Sequence, residues 1–428
     1  MTGRLADVDT VIVGGGLAGL AAARRLDSAG VDWLLVEAGD RLGGRVATDV
    51  QDGFRLDRGF QVLNTAYPRL TALTDLAELD LRFFTPGVLV RRAGKLRRLA
   101  HPLRRPAAAP QAILAGAGSL ADRVRFAGLA ARYALAAPAK LLAEPETTAL
   151  TSLHRAGVSD TMIRELLGPF FAGVLADREL VTSSRVLAMI VRSFVRGQIG
   201  VPARGMGDVP AVIARPLPAE RIHCGAPVWS VAPGAVRTAA GEVRCRTVLV
   251  ATDPATAAAL LPGLPQPDFG VLTTYYHAPP ASPLDEPTLL LDGDGRGVVA
   301  NTVVLSQAAP SYAPPGRHLV ATTVVGHRPP PEGAVRAELS RLYDQPTAAW
   351  EHLSTVHLPR ALPLAPPPQG NLRKPVALGD GLFVAGDHRD TPSIQGALAS
   401  GHRAAAAILR SLSPTPAMST PPATGAES

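Results

Sequence analysis

Charge is scarce in this 428-residue chain. Only 18 % of it is Asp, Glu, Lys or Arg, and Lys95, Lys140 and Lys374 are its three lysines. With 46 % apolar residues, that balance excludes a disordered chain and fits a folded one with room for two or three domains. Cysteine is nearly absent. Cys224 and Cys245 form no C-x-x-C pair, and the ten histidines are scattered, so no metal site is expected and both thiols read as structural. No apolar run reaches membrane-spanning length. The most apolar long stretch, about residues 107–142, is broken by Asp122, Arg123, Arg125 and Arg132. The opening MTGRLADVDT lacks the apolar centre of a secretory signal, so a cytoplasmic location is expected.

Aromatics are also few, at 4 %, and none interleaves with the one dense basic cluster, RRAGKLRRLAHPLRR, residues 91–105. Nucleic-acid binding is therefore not expected. Two kinds of reading remain for the cluster. It is a solvated basic loop or hairpin, or it is a peripheral membrane-surface patch or the rim of a site for an anionic substrate.

What the chain does have is glycine in a particular place. DTVIV, ending at Val13, is a short β-branched strand. Gly14, Gly16 and Gly19 follow in G-x-G-x-x-G spacing, and Leu17 and Ala18 open a helix with Leu20, Ala23 and Leu26 on one face. A second strand, VDWLLVE, ends at Glu37. This strand–turn–helix–strand context is what a dinucleotide loop needs. Gly14 permits the turn, Gly16 admits a diphosphate close to the backbone, and Gly19 lets the helix pack on the strand. The helix start offers free N–H groups to phosphate. Glu37 can accept hydrogen bonds from ribose hydroxyls and would repel a 2′-phosphate, which argues against NADP.

After Glu37 and Ala38 come Arg41, Gly43, Gly44 and Arg45. The run VEAGDRLGGRVATD resembles the E-x-x-x-R-x-G-G-R signature of the flavin-containing amine oxidase superfamily. That group includes monoamine and polyamine oxidases, protoporphyrinogen oxidase, and phytoene and squalene desaturases. The resemblance implies FAD, with Arg41 and Arg45 neutralising the AMP half and the diphosphate. FRLDRGFQVL resembles the family's segment beside the flavin ring, which places Gly59, Phe60, Gln61 and Val62 near the isoalloxazine. PARGMGDVPAVIAR resembles the family's P-x-G-G-M segment, with Ala203 and Arg204 altering the glycine pattern, and Val228 stands where the family's backbone meets adenine. DGLFVAGDHRDTPSIQGALASGHRAAAAIL resembles the closing motif. By that likeness Gly386 and Asp387 touch the riboflavin phosphate side, and Ile394, Gln395 and Ala397 open a helix aimed at flavin N1 and the C2 carbonyl. A positive helix end there would stabilise reduced flavin. No cysteine falls in this motif, so non-covalent FAD is expected.

The implied architecture is α/β: a Rossmann-type FAD-binding domain with a discontinuous α+β substrate domain, as in amine oxidases and desaturases. Residues 1–75, 200–265 and 370–412 would build the FAD-binding domain. Residues 76–199 and 266–369 would build the substrate domain, helical over 108–199, stranded over 268–330 and helical again over 335–353. The tail, 413–428, reads as disordered.

The resemblance implies hydride transfer from a substrate C–H to flavin N5. A desaturase or dehydrogenase of an apolar or natural-product substrate is the leading expectation, since the ending VAGDHRDTPSIQGALASG looks closer to the desaturase-like endings than to the amine oxidase endings. The alternatives are an amine oxidase producing hydrogen peroxide, a flavin-dependent isomerase and a flavin monooxygenase. Tyr275, Tyr276, Tyr312 and Trp350 are candidate rings for an amine, and Lys374 is the lysine nearest the closing motif. No catalytic side chain is named from sequence.

Overall fold

The computed structural model describes residues 4–100, 118–239 and 241–413. His101–Arg105 of the basic cluster, the expected helical stretch over 108–117 and the tail beyond Ser413 lie outside the described residues.

The parallel sheet starts from residues that cannot stay wet. Val11, Ile12 and Val13 are buried on both faces of the strand Arg4–Val13, the continuous apolar run expected of a parallel sheet covered on both sides. That strand pairs in parallel with Trp33–Val36 on one side and with Gly241–Val250 on the other, Val11 lying opposite Leu34 and Val248. Leu382–Val384 extends the sheet beyond Gly241–Val250, again in parallel. Ile222–His223 closes the other edge, and an antiparallel hairpin, Val228–Ala232 with Ala235–Thr238, folds onto the far half of Gly241–Val250. Segments from the start, middle and end of the chain thus share one sheet.

The first helix, Leu17–Ser28, and the last, Ile394–Leu412, pack against each other beside this sheet. Their contact is so close that a Cβ on Gly401 would collide with the Ala18 carbonyl. Ser393 caps the last helix by accepting a hydrogen bond from Gly396 N–H at 3.0 Å.

A second, seven-stranded sheet runs in the order Glu351–Pro363, Phe269–Ala278, Val320–Val325, Val299–Val304, Leu289–Asp292, Gly87–Arg92 and Lys95–Ala100. A helical layer covers part of it. Leu120–Leu135, Ala149–Arg155, Gly168–Leu175 and Ser184–Arg196 surround a core that includes Tyr133, Leu153, Phe171 and Leu187. One turn, Ile163–Leu167, is a π-turn.

Two expectations change here. The helix expected over 335–353 is Glu332–Tyr343 and ends at Asp344, which takes a left-handed φ of 60°. From Glu351 the chain becomes the longest strand of the second sheet, an edge strand with one buried residue, Pro363, and apolar alternation only over residues 355–359. The basic cluster is a hairpin as far as it is described, Gly87–Arg92 with Lys95–Ala100, but its arginines are not all solvated. Arg91 is buried and donates to the Leu342 carbonyl at 2.8 Å, and Arg98 pairs with Glu286.

Candidate functional site

The glycine loop is held from both sides. Gly14 has φ +106°, and a Cβ there would sit 2.8 Å from the Ala251 carbonyl, so glycine is required. Gly15 N–H donates to Glu37 Oε2 at 2.6 Å and Gly39 N–H to Oε1 at 2.8 Å. Glu37 therefore fixes the loop as well as offering its remaining lone pairs outward. Gly43 N–H donates to the Gly15 carbonyl at 2.9 Å, which ties the second motif to the first. A Cβ on Gly16 would meet nothing within 4 Å: that face opens on a cavity.

The closing motif meets the same place. Arg45 donates from Nη2 to Asp387 Oδ1 at 2.7 Å and from Nη1 to the Ala361 carbonyl at 3.0 Å. Gly386 N–H donates to Ser400 Oγ on the last helix at 2.9 Å. His388 and Arg389 sit behind this pair and do not line the cavity. Burial pushes the His388 imidazole down to about 4, so it is neutral at pH 7, and Arg389 is bound to the Pro375 carbonyl.

A cavity of about 1440 Å³ joins these parts. Among the residues singled out from sequence, Gly14, Gly16, Leu17, Ala18, Glu37, Ala38, Gly43, Gly44 and Arg45 line it at one end. Gly59, Phe60, Gln61, Val62, Val228, Gly386, Asp387, Ile394, Gln395 and Ala397 line it too. Two do not. Gly19 is spent on packing, since a Cβ there would strike the Gly14 carbonyl. Arg41, expected with Arg45 to neutralise the AMP half and the diphosphate, does not line the cavity. It donates to the Thr48 carbonyl at 3.0 Å and pairs with Asp49, which also attracts Arg58. A paired carboxylate close by in sequence outcompetes the cavity for that guanidinium.

The segment Gly59–Val62 is anchored rather than free. Phe60 N–H donates to Thr274 Oγ1 at 3.1 Å, and Gln61 Nε2 donates to the Arg45 carbonyl at 2.8 Å. Just before it, Asp57 is a buried hub. It accepts from Thr48 Oγ1 at 2.5 Å, Met206 N–H at 2.9 Å and the Tyr312 hydroxyl at 2.9 Å. Burial pushes its carboxyl up to about 6 against the pull of these donors. Tyr276 donates to the Asp57 carbonyl at 2.7 Å. The tyrosines considered as amine-facing rings are therefore core residues. Tyr275 bonds the Pro330 carbonyl, Trp350 is packed in the second-sheet core, and none of the four lines the cavity.

Beyond Phe60 the cavity widens into a chamber that sequence reading missed. Phe84 meets Phe60 edge to face at 6.1 Å, and Phe170 meets Phe171 and Phe194 at 5.1 and 5.6 Å. Met162, Leu166, Val174, Met189 and Ile190 complete its helical wall. Its sheet wall carries Leu272, Leu289 and Leu358, with Asn301 and Thr323 as cross-strand neighbours. The lining carboxylates among the described residues are Glu37, Asp253 and Asp387. All three belong to the glycine-loop half. Lys374 is half-buried and does not line the cavity. The FF pairs at Phe83–Phe84 and Phe170–Phe171 were the available signal.

Residues 17–409 match the family model described as flavin containing amine oxidoreductase. The chain belongs to that family. A flavin amine oxidoreductase of this kind fits the geometry, since the cavity exceeds the roughly 300–1,000 Å³ of an ordinary ligand pocket and begins at a glycine loop. Among its relatives, putrescine oxidase from Kocuria rosea is 43 % identical over 72 residues, 17 % of this chain and 15 % of that protein. Carotenoid 3,4-desaturase from Haloarcula japonica is 47 % identical over 55 residues, 13 % of this chain and 11 % of that protein. These alignments span less than a fifth of either relative's length. A solved oxidoreductase from Methanosarcina mazei shares the fold throughout, with a TM-score of 0.71 at 19 % identity, covering 92 % of this chain and 99 % of that one.

Proposed function

We propose that the chain is an FAD-dependent oxidoreductase that removes a hydride from a C–H bond of a neutral, apolar substrate, a dehydrogenase or desaturase. One observation carries the choice of substrate. The chamber past Phe60 is walled mostly by phenylalanine, leucine, methionine, isoleucine and valine, with the uncharged Asn301 and Thr323 on its sheet wall and no carboxylate among its described residues. Burying an ammonium ion there without a counter-charge would cost several kcal/mol.

The residues fit the cofactor along its length. The N–H groups at Leu17 and Ala18 and the Arg45 guanidinium would hold the diphosphate, with Arg45 kept in place by Asp387. Glu37 would hold a ribose, and Ala226 and Val228 would flank adenine. The helix start at Ile394 and Gln395 would face the flavin pyrimidine carbonyl. Bound FAD supplies the hydride acceptor. This chain's own part is positioning: Phe60, Phe84 and the Phe170–Phe194 group would press the substrate carbon toward the ring and exclude water.

A second reading, an amine oxidase releasing hydrogen peroxide, draws on the Phe60–Phe84 pair and on relatives such as putrescine oxidase. Anaerobic mixing of the FAD-loaded protein with neutral isoprenoid hydrocarbons and with a matched amine panel separates the two. Bleaching of the flavin by the hydrocarbons is the expected result. Bleaching by amines alone would replace this reading with the second.

A further inference from the structure

The helix Leu120–Leu135 wears its apolar side on the wrong face. Its sequence, LADRVRFAGLAARYAL, turns Asp122, Leu129, Tyr133 and Ala134 inward. Outward it leaves Leu120 at 54 % exposure, Val124 at 64 % and Leu135 at 86 %, with Ala127, Gly128 and Ala131 also exposed. These positions recur at i, i+4, i+7, i+8, i+11 and i+15, a single stripe along the helix. At 3.6 residues per turn, Arg125 and Arg132 border the stripe on one side and Arg123 on the other. The helix's one acid, Asp122, is turned away and bonded to Ser119 and Ser159.

The stripe is also a doorway. Leu120, Val124, Ala127 and Ala131 both reach the surface and line the chamber. Leu99, on the neighbouring hairpin strand Lys95–Ala100, lines the same cavity, and that strand adds exposed Lys95 and Leu96. An apolar stripe edged by arginines, without an exposed acid, matches a helix lying in the plane of a membrane surface. Arg125 and Arg132 stay exposed while bonded to the Gly157 carbonyl and to Glu144, and their positive charge favours anionic headgroups. Arg91 of the basic cluster is buried and Arg98 pairs with Glu286, so the surface contact belongs to the helix more than to that cluster.

We propose that the Leu120–Leu135 face docks on an anionic lipid bilayer, with the chamber mouth opening onto the acyl chains. This inference extends the apolar-substrate reading and does not depend on which bond is oxidised. No helix among the described residues is long and apolar enough to cross a membrane, so the contact would be peripheral.

The test is cosedimentation of the FAD-loaded full chain with phosphatidylglycerol vesicles and, in parallel, with phosphatidylcholine vesicles. The expected result is pelleting with phosphatidylglycerol that weakens as salt rises. Leu135 does not line the cavity, so Leu135→Asp should cut vesicle binding by at least about tenfold while the flavin spectrum stays unchanged. Leu135→Ala should give a smaller loss in the same direction if the aspartate variant does not fold. Leu378→Asp, at an exposed apolar residue elsewhere, should change nothing. The proposal is overturned if the wild type stays in the supernatant with both lipids, or if both Leu135 variants bind as well as wild type. It is also overturned if the stripe instead supports a dimer, seen as a concentration-dependent doubling of mass that Leu135→Asp abolishes without any vesicle binding. Vesicle binding together with amine-only bleaching would keep the docking and remove the apolar-substrate reading.

Discussion

Arg45 and Asp387 stand 342 residues apart in sequence and form an ion pair at 2.7 Å on the cavity wall. Each comes from a different end of the chain, and each motif is incomplete without the other. Arg45→Ala would leave the buried Asp387 carboxylate without its cation. A loss of roughly 1.5–3 kcal/mol in folding stability is expected, the range for hydrogen bonds to charged groups, together with weaker FAD binding. Denaturant titration and FAD titration check the two effects. Arg45→Lys should recover part of each, because a point charge replaces a forked donor.

Gly401 makes a second junction between the two ends. Its missing side chain lets the last helix touch the Ala18 carbonyl at the start of the first. Gly401→Val should separate the helices, lower stability by roughly 1–3 kcal/mol and loosen FAD. Gly333→Val, where a Cβ meets nothing within 4 Å, is the matched control and should cost little. Equal effects at both positions would contradict the close-contact explanation.

Asp57 imposes a pH dependence of known sign. Burial raises its folded pKa to about 6, above the unfolded carboxylate value near about 4. The folded chain therefore holds this proton more tightly than the unfolded chain does. The contribution to stability is fully present below about pH 4 and is lost as pH rises through about 6. Asp57→Asn removes the titration. The stability difference, wild type minus variant, should fall by on the order of 2 kcal/mol between pH 4 and pH 7. Melting curves of both proteins across that range read it directly, and a difference that stays flat or grows would contradict the assignment.

Phe170 tests the chamber. It stacks edge-on with Phe171 and Phe194 in the helical wall. Phe170→Ala should raise the KM for an apolar substrate by about tenfold through lost aromatic contact, with a smaller change in kcat. Unchanged steady-state kinetics would place the substrate elsewhere.

The parts legible in sequence were those written by local physics. The glycine loop, its strand and helix, and the acidic end at Glu37 lie within 29 residues, Asp9 to Glu37, and their spacing states the backbone path. The closing helix was legible from the motif likeness at Ile394, Gln395 and Ala397, while its Ser393 cap came only with the structure. What stayed hidden depends on partners that the motifs do not name. Arg41 was drawn off by Asp49, a competition that motif spacing does not express. The strand Glu351–Pro363 sits at a sheet edge, so its alternation is confined to residues 355–359, too short a run to mark a 13-residue strand. Asp57 gains its role only when Met206 and Tyr312 arrive from far along the chain. The chamber phenylalanines, Phe60, Phe84, Phe126, Phe170, Phe171 and Phe194, come from separate segments, and no single segment marks them as neighbours.

The most direct measurement is to saturate the purified chain with FAD, remove the excess, record the visible spectrum, and then denature the protein and analyse the supernatant. A flavin absorption band in the folded protein, followed by release of intact FAD at about one molecule per chain, is the expected result. A protein that stays colourless after saturation would contradict the cofactor assignment, and flavin that remains attached to the denatured chain would contradict its non-covalent form.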